Sequence, residues 1–315
     1  MKETTSKIGL PKSFQLHDLK PDEFITYYFE KEKEIEDELL LSGAVKFHGV
    51  QIESIDVFQN IVNSIATKFL SYIDGNSPRT KLTGNVYTST EYDKTQRITM
   101  HNELSYSAKW PGKLFFSCIQ PAESGGETLL ADSREILSLM DNDLVKEVES
   151  KGVMYIRNLH GGKGMGPSWQ DTFETESKDQ LEEYCKQYNI EYEWKEDNGL
   201  RLRQKSKGIV GHRTSGEKVW FNQIDQFHPY QLGEDLYEAM KAIFPTPEDF
   251  PSYVTFGNGD VISEELVSEI LRVTQKATIA PAWNKNELLI VDNELASHGR
   301  NSYTGNRTVL VSMCE

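Results

Sequence analysis

Apolar residues recur along this chain with two different periods, and the change from one to the other predicts how it is organised. Over residues 21–41, Phe24, Tyr28, Ile35 and Leu39 fall at near-helical spacing, with Pro21 suited to a first turn and Gly43 to an exit. The glutamate- and lysine-rich remainder of that segment reads as a solvated face. A short apolar run over 44–49 predicts a buried strand, and 54–72 a second amphipathic helix. From Thr83 onward, extended residues and turns dominate. Strands are predicted over 114–119, 127–130, 191–194, 200–204, 209–212, 218–221, 287–292 and 308–313. Helices are predicted over 133–140 and 141–151, with Ser133 and Asp141 as N-caps, and over 177–189, 234–244 and 263–276.

Many short strands between turns, with helices at the front and in insertions, predict a mainly β fold: a double-stranded β-helix (jelly-roll) core with helical decoration. No internal repeat or low-complexity linker interrupts the chain. Residues 1–315 are therefore expected to form one domain, with a helical N-terminal part to about residue 80 and a jelly-roll core with insertions from about residue 81.

Composition narrows the function. The chain has 315 residues, 37% of them hydrophobic, enough for a substantial core. Lys and Arg number 34 against 49 Asp and Glu, a net charge of −15. An acidic chain without a basic run speaks against nucleic-acid or anionic-membrane partners, which need Lys/Arg clusters. Cys118, Cys185 and Cys314 show no CxxC spacing, so neither a disulfide framework nor a zinc site is implied, and a reducing cytoplasm is expected. The first residues lack the apolar core of a signal peptide, and no apolar run is long enough to span a bilayer.

The candidate chemistry begins at Met100-His101-Asn102-Glu103. On a strand, residues i and i+2 share a face, roughly 7 Å apart, so His-x-Glu would set an imidazole beside a carboxylate. Those are two of the three ligands of a 2-His-1-carboxylate facial triad for non-haem Fe(II). A distant histidine and a basic anchor are still needed, and the C-terminus offers His298 and Arg307. A guanidinium near the metal could hold the far carboxylate of a dicarboxylic cosubstrate such as 2-oxoglutarate. His160, His212 and His228 are further imidazoles, read as packed or surface residues. Gly161, Gly162, Gly164 and Gly166 lack phosphate-loop spacing and read either as a mobile connection over a site or as an irregular surface loop. Arg300 is read either as a substrate-carboxylate binder or as a partner of Asp292. Asn222 and Trp220 either line the pocket or close a strand pair.

Taken together, Thr90-Glu91-Tyr92, His101-Asn102-Glu103-Leu104-Ser105-Tyr106, Pro121-Ala122-Glu123-Ser124-Gly125-Gly126-Glu127-Thr128, Trp220-Phe221-Asn222-Gln223 with His228-Pro229, and Asp292-Asn293 with His298-Gly299-Arg300 resemble the Fe(II)/2-oxoglutarate dioxygenases of the taurine dioxygenase type. The likeness is strongest to the branch associated with nonribosomal peptide synthesis, and covers roughly residues 83–313. It implies iron ligation by His101, Glu103 and His298. It also implies 2-oxoglutarate binding by Thr128 and Arg307, with O₂ at the remaining iron position, and a tentative substrate role for Arg300 and Asn222. The arginine that grips sulfonate in taurine dioxygenase falls near Val311 here, which speaks against taurine. The chain also departs from the branch at Asn258, often Asp, and at Ser297, often a bulkier apolar residue. The activity implied is hydroxylation of an amino acid or amino-acid-derived substrate, free or on a peptidyl carrier protein, in specialised metabolism such as antibiotic biosynthesis. Desaturation or cyclisation within the family, a cupin-like metalloenzyme with a non-oxygenase reaction, and a non-catalytic interaction module are the alternatives. Halogenation is disfavoured because Glu103 fills the place that chloride would take.

Overall fold

The computed structural model describes residues 9–75, 80–89 and 92–315. Its centre is a seven-stranded sheet in the order Lys12–Leu19, Ala44–Val50, Glu287–Asp292, Lys113–Gln120, Thr308–Cys314, Val86–Thr88, Lys81–Thr83. The first pair is parallel and the others antiparallel.

Because side chains alternate across a strand, each central strand feeds two cores at once. Phe47, Phe115, Leu288, Ile290 and Leu310 point to one face and pack with Phe24, Tyr28, Ile35, Leu39 and Phe58 from three helices. These helices are Pro21–Glu30, Glu32–Ser42 and Ile55–Ile65. Leu114, Phe116, Cys118, Leu289, Val291, Val309 and Val311 point to the other face and meet Leu130 and Ala296.

Those last two residues belong to a small sheet of Ile98–His101, Ala296–Arg300 and Thr128–Asp132. Its far side, through Met100, Leu129 and Ala131, packs on helices Ser133–Leu139, Asn142–Lys151 and Glu264–Ala277. A four-stranded sheet, Glu191–Trp194, Leu200–Ser206, Val153–Leu159 and Ser252–Phe256, and a two-stranded one, Ile209–Gly211 with Lys218–Trp220, lie in the insertion.

The expected N-terminal helix is two helices. Lys31 leaves helical geometry (φ −109°, ψ 7°), and Gly43 ends the second helix at φ 77°, a left-handed exit that costs glycine little. The second amphipathic helix stops at Ile65, where Ala66 turns extended. Asp132, not Ser133, caps the 133–139 helix, accepting from the N–H groups of Arg134 and Glu135, whereas Asp141 caps its helix as expected. The first 80 residues are not only helical, since Lys12–Leu19 and Ala44–Val50 are strands of the large sheet itself.

Candidate metal centre and its two cavities

The register of the small sheet places His298 directly opposite His101, with ring centroids 4.3 Å apart. The strand ends at His101, and Glu103 lies in the turn beyond it, where Leu104 adopts φ 55°. The i, i+2 geometry of a continuous strand therefore does not deliver the carboxylate; a bend does. His298 Nε2 stands 3.5 Å from Glu103 Oε2, and one ligating atom from each of His101, Glu103 and His298 lies within 4.8 Å of the others. All three residues are buried.

His101 Nδ1 lies 2.9 Å from the Thr99 carbonyl, so a proton on that nitrogen leaves Nε2 with its lone pair for a cation. Gln226 Nε2 donates to the same carbonyl at 3.1 Å and lies 3.2 Å from Nδ1. His298 Nδ1 is buried without a hydrogen-bond partner among the described residues. Two imidazoles and one carboxylate converging in a buried pocket are a donor set that fits Fe(II).

Two cavities meet at this cluster. The first is lined by Ser89, Phe116, Thr128, His298, Arg300 and Arg307, among others. Thr128 Oγ1 accepts from Trp283 Nε1 at 2.9 Å, which leaves its own O–H to donate. Arg307 is held by the Gly126 carbonyl (2.8 Å) and Ser89 Oγ (3.1 Å) and has no ion-pair partner among the described residues. Gly126 sits at φ 74°, and a Cβ there would come within 2.9 Å of Arg307 Cδ, so glycine lets the guanidinium stem lie against the backbone. Burial, and then the charge of Arg300, push the Arg307 pKa down to about 10. Arg300 donates to the carbonyls of Tyr92, Asp93 and Gln96. It does not pair with Asp292, whose Oδ2 lies 3.1 Å from His212 Nε2.

The second cavity, a cleft of about 390 Å³, has Tyr72, Arg97, Glu103, Tyr106, Gln223 and Gln226 on its walls. Tyr106 is fixed by its hydroxyl donating to the Asp74 carbonyl (2.9 Å) and by Arg157 over its ring (5.0 Å). Arg157 is itself paired with Asp74 in full burial. Asn222 is not on these walls: it donates to the Gly208 carbonyl and accepts from Ile224 N–H, and its neighbour Gln223 faces the cleft instead. Trp220 belongs to the core that packs on the small sheet. The glycine-bearing 160–166 segment lines neither cavity. His160, His212 and His228 lie outside the cluster, and burial drives the His228 pKa down to about 4. Thr90 and Glu91 lie outside the described residues. Sequence reasoning missed Gln226 and the role of Asn293; a glutamine carries no spacing signal that separates it from any polar surface residue.

Residues 11–314 match the family described as taurine catabolism dioxygenase TauD, TfdA. The chain belongs to that family. As a TauD, TfdA member it is a dioxygenase. It is 35% identical over 294 residues to the dapdiamide synthesis protein DdaC of Enterobacter agglomerans, covering 93% of this chain and 87% of that protein. It is 30% identical over 282 residues to the clavaminate synthase-like protein At3g21360 of Arabidopsis thaliana, covering 87% and 82%. Among solved structures, the fold is similar to asparagine oxygenase bound to Fe(II), 3-hydroxyasparagine and succinate (TM-score 0.55, 12% identity, 91% of this chain and 78% of that one). It is also similar to PvcB, an Fe, alpha-ketoglutarate dependent oxygenase (TM-score 0.52, 12% identity, 96% and 86%). No helix among the described residues is long and apolar enough to cross a membrane, and all three cysteines are free and buried.

Proposed function

We propose that this TauD, TfdA member hydroxylates an amino acid or amino-acid-derived substrate in specialised metabolism, with Fe(II) held by His101, Glu103 and His298. The observation that carries the reading is the convergence of those three side chains where two differently built cavities meet. Iron and 2-oxoglutarate, when bound, would activate O₂, which oxidises both 2-oxoglutarate (to succinate and CO₂) and an unactivated C–H bond.

The protein's own residues do the rest. Arg307 and Thr128 converge in the first cavity as a cation and a hydroxyl donor, the pair needed to bind and orient the far carboxylate of 2-oxoglutarate. Phe116 and Ile98 narrow that cavity and exclude water. In the second cavity Tyr72 and Tyr106 offer apolar walls, and Gln223 and Arg97 offer hydrogen bonds to a polar, amino-acid-like molecule. The name of asparagine oxygenase supports an amino-acid substrate, and that of the dapdiamide synthesis protein DdaC a biosynthetic setting. The scaffold is read as one jelly-roll domain, supported by the large and small sheets closing over one shared apolar layer.

The test is succinate release from 2-oxoglutarate under Fe(II), ascorbate and air, screened over amino acids offered free and as pantetheine thioesters. A product carrying one added oxygen, formed with stimulated succinate release, is expected. Loss of two hydrogens instead would mark a desaturase or cyclase. 2-Oxoglutarate left intact with every compound would favour a cupin-like non-oxygenase reaction. Stimulation only by thioesters would identify a carrier-bound substrate.

A further inference from the structure

The Glu103 carboxylate reaches the cluster from a turn, not a strand, and something must hold that turn. Side chains from distant parts of the chain take the Glu103 N–H and carbonyl and share the Asn102 carbonyl, which also accepts from Ser105 N–H. Glu103 N–H donates to Asn293 Oδ1 at 2.7 Å, and Asn293 Nδ2 donates back to the Glu103 carbonyl at 3.0 Å. The same Nδ2 donates its other proton to the Pro111 carbonyl at 2.9 Å. Asn102 Nδ2 closes the arrangement by donating to the Asn293 carbonyl at 2.6 Å, and Gln223 Nε2 donates to the Asn102 carbonyl at 2.9 Å. Asn293 is fully buried, and the residue after Glu103, Leu104, is left-handed at φ 55° without being glycine. Such a backbone persists only when its surroundings over-determine it.

Asn293 reaches this place through its own tight turn. Asp292 Oδ1 accepts from the N–H groups of Glu294 and Leu295, folding the chain between Glu287–Asp292 and Ala296–Arg300. His298 follows five residues after Asn293. One turn between the two sheets therefore leads into one member of the cluster and grips the backbone of another.

We infer that Asn293 is the positioning residue for Glu103: its amide holds the 103 peptide on both sides and so fixes the carboxylate opposite the two imidazoles. The inference rests on the metal reading above. An amide is the one side chain of this length that both accepts from an N–H and donates to two carbonyls. Asn293→Asp keeps the acceptor and turns a repelling oxygen towards the Glu103 and Pro111 carbonyls; Asn293→Ala removes both functions.

The test uses the full chain and Co(II) alone, read by its visible absorption, with thermal unfolding recorded for every variant. Removal of an outer partner of a metal ligand costs about 10–100-fold in affinity. Folded Asn293→Ala or Asn293→Asp protein is expected to bind Co(II) that much more weakly, with an altered spectrum. A folded variant with the parent's affinity and spectrum would overturn the inference, leaving Asn293 a packing residue. Failure of both variants to fold at 25 °C would overturn it too, since the amide would then serve the fold as a whole. His298→Ala run alongside separates the two claims. If it also binds Co(II) like the parent, the metal reading itself fails; if it alone loses Co(II), only the role given to Asn293 does.

Discussion

Arg307 is the residue whose chemistry is most exposed to test. It is a half-buried cation with neutral partners, waiting in a cavity beside the histidines. Arg307→Ala is expected to raise the 2-oxoglutarate requirement by the on-the-order-of 3–5 kcal/mol that breaking a buried charge pair costs, with metal binding nearly intact. Parent-level 2-oxoglutarate affinity in that variant, measured by titration, would move the anchor to another residue, Arg300 first. Asp225 offers a second residue-scale test. Burial raises its pKa to about 7, so relative to an ordinary carboxyl it favours folding below the usual carboxylate range and loses that advantage as pH rises to 7. Asp225→Asn is therefore expected to be more stable than parent at pH 8 and to show a flatter stability profile between pH 4 and 7. A parent-like profile in chemical denaturation would contradict the shift.

At the scale of elements, legibility followed burial on two faces. The strands Glu287–Asp292, Lys113–Gln120 and Thr308–Cys314 are buried along nearly their whole length, and continuous apolar runs announced them. Lys12–Leu19 was not legible, because an edge strand with only Phe14 buried carries polar residues at the other positions. Ala296–Arg300 carries no strand signal, because Ser, His, Gly and Arg do not look like a strand even though all five of its residues are buried. Its polar side chains serve the site, and sites are where local preference is expected to yield. The triad residues were legible because His-x-Glu and a late histidine form a pattern; the bend that turns Glu103 inward was not, because it depends on Asn293, which lies 190 positions away. The N-terminal helices also have a quantitative consequence. Phe24 is fully buried between helix and sheet, so Phe24→Ala is expected to cost about 3–5 kcal/mol in unfolding free energy. A loss under 1 kcal/mol would show that the helical cover is not part of the cooperative core.

For the whole molecule, the large sheet, the helices behind it and the small sheet in front form successive layers, and the cluster sits at the open end of the small sheet. Two strands from the first 50 residues complete the large sheet, and the last strand pairs at its centre, so distant parts of the chain are needed to seat one pocket. Replacing the carboxylate removes the only anion in the cluster, and Glu103→Gly is expected to abolish hydroxylation while the fold survives. Full hydroxylation by purified, metal-checked Glu103→Gly protein would show that Glu103 is not a ligand. The most direct measurement is iron stoichiometry and affinity in the anaerobic full-length protein, compared with His101→Ala and His298→Ala. One Fe(II) per chain in the parent is expected, with affinity lower by at least tens-fold in each variant. Stoichiometric iron held as tightly by both variants as by the parent would contradict the centre proposed here.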